Sequence, residues 1–143
     1  MKRNILVVFI VCVVLIGASP PKQNKVCING SCFFVELART PQERRSGLMF
    51  RNDLDKNQGM LFLFEDEVKH GFWMKDTYIP LDIIWISSNN EVIFIKENVQ
   101  PCNDSECMTI MPDKKALYAL EVNAGIVEDC DLKIGDKVVF DIK

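Results

Sequence analysis

Four of the six cysteines form two pairs, and each pair has the same four-residue spacer. The first pair, Cys27 and Cys32, brackets an Asn-Gly dipeptide, which favours a type I′ turn because both central residues of that turn need positive φ. In such a hairpin Cys27 faces Cys32 as a non-hydrogen-bonded pair with Cα atoms ~4.5 Å apart, which is within disulfide range. The sequence therefore predicts a Cys27–Cys32 disulfide.

The second pair, Cys102 and Cys107, brackets a polar, turn-rich stretch and predicts a second, loop-closing disulfide. The alternative is a Cu(I) site, because Met108 and Met111 follow closely and thiolate with thioether ligands suits that ion. The spacing does not match the C-x2-C pairs of zinc sites. We predict no cofactor, with copper as the alternative, and assign no role to Cys130.

The N-terminus has the order of a signal peptide or signal anchor over residues 1–19. Lys2 and Arg3 precede the apolar run 5–16, and small residues follow it. The run is shorter than the ~20 apolar residues that span a bilayer comfortably. The sequence predicts an exported protein, secreted or tethered to the membrane only through this segment if it is uncleaved. An oxidising compartment favours disulfides over copper ligation.

Length and charge narrow the function further. The 143 residues suffice for one core, so we predict a linker over 20–25 and one domain over 26–143. A net charge of −3 argues against a nucleic-acid partner. Gly-rich phosphate loops and paired-histidine metal motifs are absent from the sequence. The single histidine, His70, is predicted to lie on the surface or in a loop.

Short apolar segments separated by turn residues predict a mainly β, single-domain fold, either a sandwich or barrel-like. One short helix is predicted near 41–46, because Thr40 can cap it, Pro41 suits its first position and Glu43 completes a capping box. The segment 59–64 is apolar on both faces and predicts a central strand. The predicted strands are 32–37, 59–64, 71–74, 79–86, 91–99, 117–122 and 137–142.

Several sequence blocks, taken together, resemble the DUF192 family of uncharacterised prokaryotic proteins from about residue 32 to the C-terminus. The resemblance implies a β-sandwich or barrel-like domain and carries no catalytic residue, because the activity of the family is unknown. The cysteine pairs and Cys130 depart from the family pattern and suggest an extracytoplasmic variant. The blocks are Phe34-Val35-Glu36-Leu37-Ala38, Glu43-Arg44-x-x-Gly47-Leu48-Met49-x-Arg51, Gly59-Met60-Leu61-Phe62, Phe72-Trp73-Met74-Lys75-x-Thr77-x-Ile79-Pro80-Leu81-Asp82, Ala119-Leu120-Glu121-Val122-x-Ala124-Gly125 and Gly135-Asp136.

Charged and aromatic residues in these blocks are the candidate ligand-binding residues. Charged groups beside apolar strands need partners, so they are either structural ion pairs or members of a site. In a site, arginines would bind a carboxylate or phosphate and a tryptophan would stack on a ring. The candidates are Arg44, Arg51, Trp73, Lys75, Asp82 and Glu121.

The function that fits these features is a non-catalytic module of the cell envelope that binds a small molecule or an envelope protein. One alternative is an enzyme in which Asp82 and Glu121 act as a carboxylate pair in one pocket. The other is a Cu(I)-binding protein that uses Cys102, Cys107, Met108 and Met111.

Overall fold

A computed structural model describes residues 23–103 and 106–143 of the chain. They form seven strands and two short helices, α1 and α2. The elements are β1 (Lys25–Ile28), β2 (Ser31–Ala38), α1 (Pro41–Ser46), β3 (Gln58–Val68), β4 (Leu81–Ile86), β5 (Val92–Val99), β6 (Ala116–Asn123), α2 (Ile126–Asp129) and β7 (Val138–Asp141). The strands make one sheet in the order β5-β4-β6-β3-β2-β1-β7.

The predicted signal segment, residues 1–19, lies outside the described residues. Strand β1 begins at Lys25, the last residue of the predicted linker, which pairs with Phe34 and Asp141 in the sheet. In the part of the chain that the structure describes, no helix is both long enough and apolar enough to cross a membrane.

The mainly β, barrel-like prediction is confirmed, and the fold is a half-barrel made from one curled sheet. The curl brings the starts of the two edge strands, β5 and β7, together. The Val92 amide donates to the Asp136 carbonyl, and the Val138 amide donates to the Asn90 carbonyl, both at 2.9 Å. These bonds form a short seam between the edges. All seven strands belong to one sheet, so a two-sheet sandwich is not formed.

Both predicted cysteine pairs lie at disulfide distance. In the β1–β2 hairpin Cys27 is opposite Cys32, and the turn residues Asn29 and Gly30 have φ of 49° and 81°. The sulfur atoms are 2.07 Å apart and the Cα atoms 4.0 Å apart. The second pair, Cys102 and Cys107, has sulfur atoms 2.10 Å apart. The type I′ turn prediction and both pairings are therefore confirmed.

Helix α1 begins as the sequence predicts. The Thr40 hydroxyl accepts a hydrogen bond from the Glu43 amide at 3.2 Å, and the Glu43 carboxylate accepts from the Thr40 amide at 2.8 Å. Hydrogen bonds from the backbone amides of Thr40 and Arg39 to the Glu43 carboxylate lower the pKa of that carboxyl. The helix connects β2 to β3, which pair in parallel. The sequence did not predict this parallel crossover.

Strand β3 is central, as its two apolar faces predict, and each face of the sheet carries its own core. The face covered by α1 and the 69–80 segment is here called the groove face. Its core includes Met60, Phe62, Phe72, Ile83, Trp85 and Ala119, and the core of the opposite face includes Val35, Leu61, Ile84, Leu120, Val122 and Val127.

Two elements differ from the prediction. The sequence did not predict α2, which has only four residues. It predicted a strand at 71–74, where only Phe72 forms a β-bridge, with Ile110.

Candidate functional site

An open groove of about 390 Å³ lies on the groove face, beside α1. Strand β3, helix α1 and the segment around residue 72 contribute its walls. Trp73 keeps 40% of its surface exposed there. We call this space the aromatic groove, and its main lining residues are Arg44, Arg45, Phe62, Phe64, Phe72 and Trp73.

A small cavity of about 20 Å³ adjoins the aromatic groove. The two spaces share five lining residues, so these side chains form the boundary between them. We call this space the inner cavity. Beyond the shared residues its walls include Leu48, Thr77 and Glu121.

Glu121 is the buried acidic group of this cavity. It lies on β6 opposite Met60 of β3 and Ile83 of β4, so it occupies the middle of the sheet. Only 4% of its surface is exposed, and no hydrogen bond or ion pair joins its carboxyl to any described residue. Burial raises the pKa of Glu121 to about 8. At neutral pH the group is therefore mostly a carboxylic acid, which both donates and accepts hydrogen bonds.

The groove wall formed by Phe72 and its neighbours is irregular but firmly attached. Phe72 exchanges two backbone hydrogen bonds with Ile110, at 2.9 and 2.7 Å. Its ring contacts Phe62 and Trp85 edge to face, with centroids 4.8 and 5.4 Å apart. Such contacts add to the energy of burial and fix the ring orientation. The wall that carries Trp73 is thus held in one position.

The Cys102–Cys107 loop supports the same wall at a second point. The Cys102 amide donates to the Met74 carbonyl at 3.1 Å, and the Asp76 amide donates to the Cys102 carbonyl at 3.2 Å. The disulfide therefore closes a loop whose backbone is bonded directly to the segment that lines the groove.

Arg44 reaches the groove but its guanidinium is already engaged. It donates to the carbonyl oxygens of Leu63, at 2.9 Å, and of Arg39. It also lies over the Phe64 ring, 5.4 Å from the centroid. These contacts attach α1 to β3, so Arg44 has a structural role at the groove. Its neighbour Arg45 also lines the groove and is exposed, so its guanidinium is more accessible to a ligand than that of Arg44.

Arg51 and Lys75 lie outside the aromatic groove and the inner cavity. Arg51 contacts both carboxylate oxygens of Glu36 at 2.7 and 2.6 Å, on an exposed surface beside a different depression. Lys75 places its Nζ atom 5.7 Å from the centroid of the Trp73 ring. An exposed ion pair such as the one between Arg51 and Glu36 contributes little stability.

Asp82 belongs to the opposite face of the sheet. It is fully buried, and its carboxylate accepts hydrogen bonds from the Asn98 amide at 2.8 Å and the Val127 amide at 2.9 Å. Val127 lies in the first turn of α2, so Asp82 attaches that helix to the sheet. Strand alternation turns Asp82 and Glu121 to opposite faces, and the prediction that they share a pocket is wrong.

The proposed copper ligands are not available together in this structure. The sulfurs of Cys102 and Cys107 are bonded to each other, so they are not thiolates in this form. Met108 and Met111 are 86% and 51% exposed. Within residues 23–103 and 106–143, no three His, Cys, Asp or Glu side chains are grouped as metal ligands. Cys130 is a half-buried thiol.

The structure thus brings together three of the six candidates: Arg44, Trp73 and Glu121. Sequence reasoning missed Arg45 and Thr77 as lining residues. Their only signal was position, since Arg45 follows Arg44 and Thr77 lies in the same block as Trp73. The predicted loop histidine, His70, stacks on Phe64 at the edge of the groove, with ring centroids 3.5 Å apart.

Comparisons with known proteins give a family and a fold. The family model DUF192, described as "Uncharacterized ACR", matches residues 24–140. A crystal structure of a protein of unknown function from Novosphingobium aromaticivorans DSM 12444 is 36% identical, covers 80% of this chain and 83% of its own, and has a TM-score of 0.74. A second crystal structure is of a protein from Sinorhizobium meliloti 1021 that is described as a candidate transcription regulator. It is 32% identical, covers 87% of this chain and 98% of its own, and has a TM-score of 0.76. No curated protein matches the chain.

Proposed function

This chain belongs to the DUF192 family, and we propose that it binds a small organic ligand in the aromatic groove. The body of the ligand packs against Phe72 and Trp73, and one polar group enters the inner cavity to meet Glu121. The protein acts as a recognition module, and its ligand is a single small molecule.

The observation that carries this proposal is Glu121, a residue that is only 4% exposed, lines the inner cavity and makes no side-chain hydrogen bond or ion pair with any described residue. Leaving a carboxyl buried and unpaired costs stability, so such groups concentrate at functional sites. The carboxyl also lines a cavity next to an open groove with aromatic walls. Concave, mostly apolar sites with a few convergent polar groups are typical of small-molecule binding.

The proposal is tested by ligand-observed NMR with a library of ring-containing fragments. We expect fragments that bind the wild-type protein and lose at least tenfold in affinity on Trp73→Ala. The matched control is Tyr78→Ala, because Tyr78 is 45% exposed, close to the 40% of Trp73, but does not line the groove. Fragments that bind both variants equally well, or a library without any hit, would contradict the proposal.

A second candidate function is general acid catalysis by Glu121 alone. The raised pKa of this carboxyl, about 8, favours it, because a group that is protonated at neutral pH can give its proton to a reacting atom. The measurement is product formation from each groove-binding fragment. Turnover that Glu121→Gln abolishes while binding persists would support catalysis, and unchanged fragments would leave recognition as the function.

We also propose that the protein works outside the cytoplasm. Two cysteine pairs at disulfide distance favour an oxidising compartment, in agreement with the signal-like sequence of residues 1–19. The test is alkylation of the protein in intact cells followed by mass spectrometry. Cys27, Cys32, Cys102 and Cys107 should resist alkylation until a reductant is added, and labelling without reductant would contradict an oxidised location.

A further inference from the structure

The size of the inner cavity limits what can enter it. A volume of about 20 Å³ is room for one group the size of a water molecule, since a water needs ~10–15 Å³ by this measure. A carboxylate, phosphate or ring does not fit. The entering group is therefore a single non-hydrogen atom carried on a ligand whose body stays in the aromatic groove.

The cost of leaving water selects among the groups of that size. The Arg44 side chain lines the cavity, but its guanidinium is bonded to the Leu63 and Arg39 carbonyls and lies over the Phe64 ring. Burying an ammonium group in so small a space costs far more free energy than burying a neutral hydroxyl, so the hydroxyl is favoured. Two residues that carry hydroxyls, Ser46 and Thr77, line the same cavity. A neutral hydroxyl can both donate to and accept from these groups.

From this geometry we infer that the inner cavity binds a hydroxyl group, so that the ligand of the groove is a hydroxylated ring compound. The inference rests on the proposed ligand-binding function and specifies its ligand class. The ring packs against Phe72 and Trp73 and the hydroxyl hydrogen-bonds to Glu121. A sugar and an aromatic alcohol both have this chemistry, because either ring can pack on an exposed indole.

The test is NMR titration of the oxidised protein with benzyl alcohol, toluene, benzylamine and methyl β-glucoside. We expect benzyl alcohol or the glucoside to shift the amides of Phe72, Thr77 and Glu121. The better of the two should bind about tenfold more tightly than toluene, which is the effect of one net hydrogen bond. Comparison of the glucoside with benzyl alcohol identifies which type of ring carries the hydroxyl.

Two variants separate a hydroxyl site from a cation site. Glu121→Gln keeps a donor and an acceptor without a charge, so hydroxyl binding should persist. Glu121→Leu removes both, so the hydroxyl probe should lose its advantage over toluene while toluene still binds.

The possible failures are distinguishable. Equal binding of toluene and both hydroxyl probes, or preferred binding of benzylamine that Glu121→Gln abolishes, would overturn the hydroxyl inference and leave the groove as a ligand site. If no probe shifts any groove resonance, the proposed function is itself rejected together with the inference.

Discussion

The indole N–H of Trp85 donates a hydrogen bond to the carbonyl oxygen of His70 at 2.8 Å. Trp85 is fully buried in the sheet, and His70 lies where the chain leaves β3 to form the groove wall. This bond satisfies the one polar atom of a large core side chain. It also fixes the start of the 69–80 wall segment, which has no regular secondary structure, and Ile110 and Cys102 hold the segment farther along.

The Cys102–Cys107 disulfide should therefore stabilise the groove wall. Replacing both cysteines by serine removes a constraint worth about 2 kcal/mol for so short a loop. We expect the Phe72 and Asp76 amides to exchange their hydrogens at least tenfold faster. Hydrogen exchange followed by NMR measures this. The control is Cys27→Ser with Cys32→Ser in the distant β1–β2 hairpin, and equal acceleration in both double variants would contradict a local role.

Glu121 should make the protein less stable as pH rises. Its folded-state pKa of about 8 lies above the ordinary glutamate value of 4.5, so the native state holds the proton more tightly than the unfolded state. The contribution of Glu121 to the free energy of unfolding should be largest below pH 4.5 and should fall between pH 5 and 8. The slope approaches about 1.4 kcal/mol per pH unit. Urea denaturation at a series of pH values measures it.

Glu121→Gln should flatten this pH dependence and raise stability above pH 7, because the amide has no charged form. Glu97→Gln is the control, since Glu97 is exposed. If the wild-type protein and Glu121→Gln lose stability in parallel from pH 5 to 8, Glu121 is not the group responsible.

Asp82 should be important for stability rather than for ligand binding. Asp82→Ala leaves the buried amide of Val127 and the part-buried amide of Asn98 without their acceptor, and an unsatisfied buried group costs about 1–3 kcal/mol. Asp82→Asn keeps one acceptor oxygen and should cost less. The measurement is the urea midpoint. Asp53→Ala, at an exposed aspartate, should change stability by less than about 0.5 kcal/mol, and a similarly small effect of Asp82→Ala would contradict this role.

Arg44 and Arg51 should differ in their contributions to stability. Arg44→Ala removes hydrogen bonds to two carbonyl oxygens and the contact with Phe64, and we expect a loss of about 2 kcal/mol. Arg51→Ala breaks an exposed pair with Glu36 and should cost about 0.2–1 kcal/mol. Thermal unfolding monitored by circular dichroism compares them. A larger effect at Arg51 would reverse the assignment.

Local patterns were enough to predict much of the sheet. The Asn-Gly turn and the capping box depend on neighbouring residues, so the β1–β2 hairpin and α1 could be predicted from sequence. The apolar residues on both faces of 59–64 identified β3 as the central strand. The apolar residues of 71–74 predict a strand, but the segment forms a single β-bridge, at Phe72. Phe72 and Met74 bury their side chains on the groove face, while Trp73 stays exposed.

The candidate site was harder to predict because it depends on contacts between distant segments. The sequence named Arg44, Trp73 and Glu121 as candidates, but only the fold shows that they border one groove and its inner cavity. Alternation along β4 and β6 would separate Asp82 from Glu121 once the register of the two strands is known. That register is a long-range property, so the sequence alone could not exclude the carboxylate pair.

The position of the last strand has a consequence for how the protein is made. Strand β7 is at the edge of the sheet beside β1, where Val138 pairs with Ile28 near the start of the chain. Contacts between residues so far apart in sequence form late and slow folding. The sheet cannot be completed while the C-terminal end is still being synthesised. A chain carried across a membrane in an unfolded state would therefore gain its first and last strand pairing only after its C-terminal end arrives.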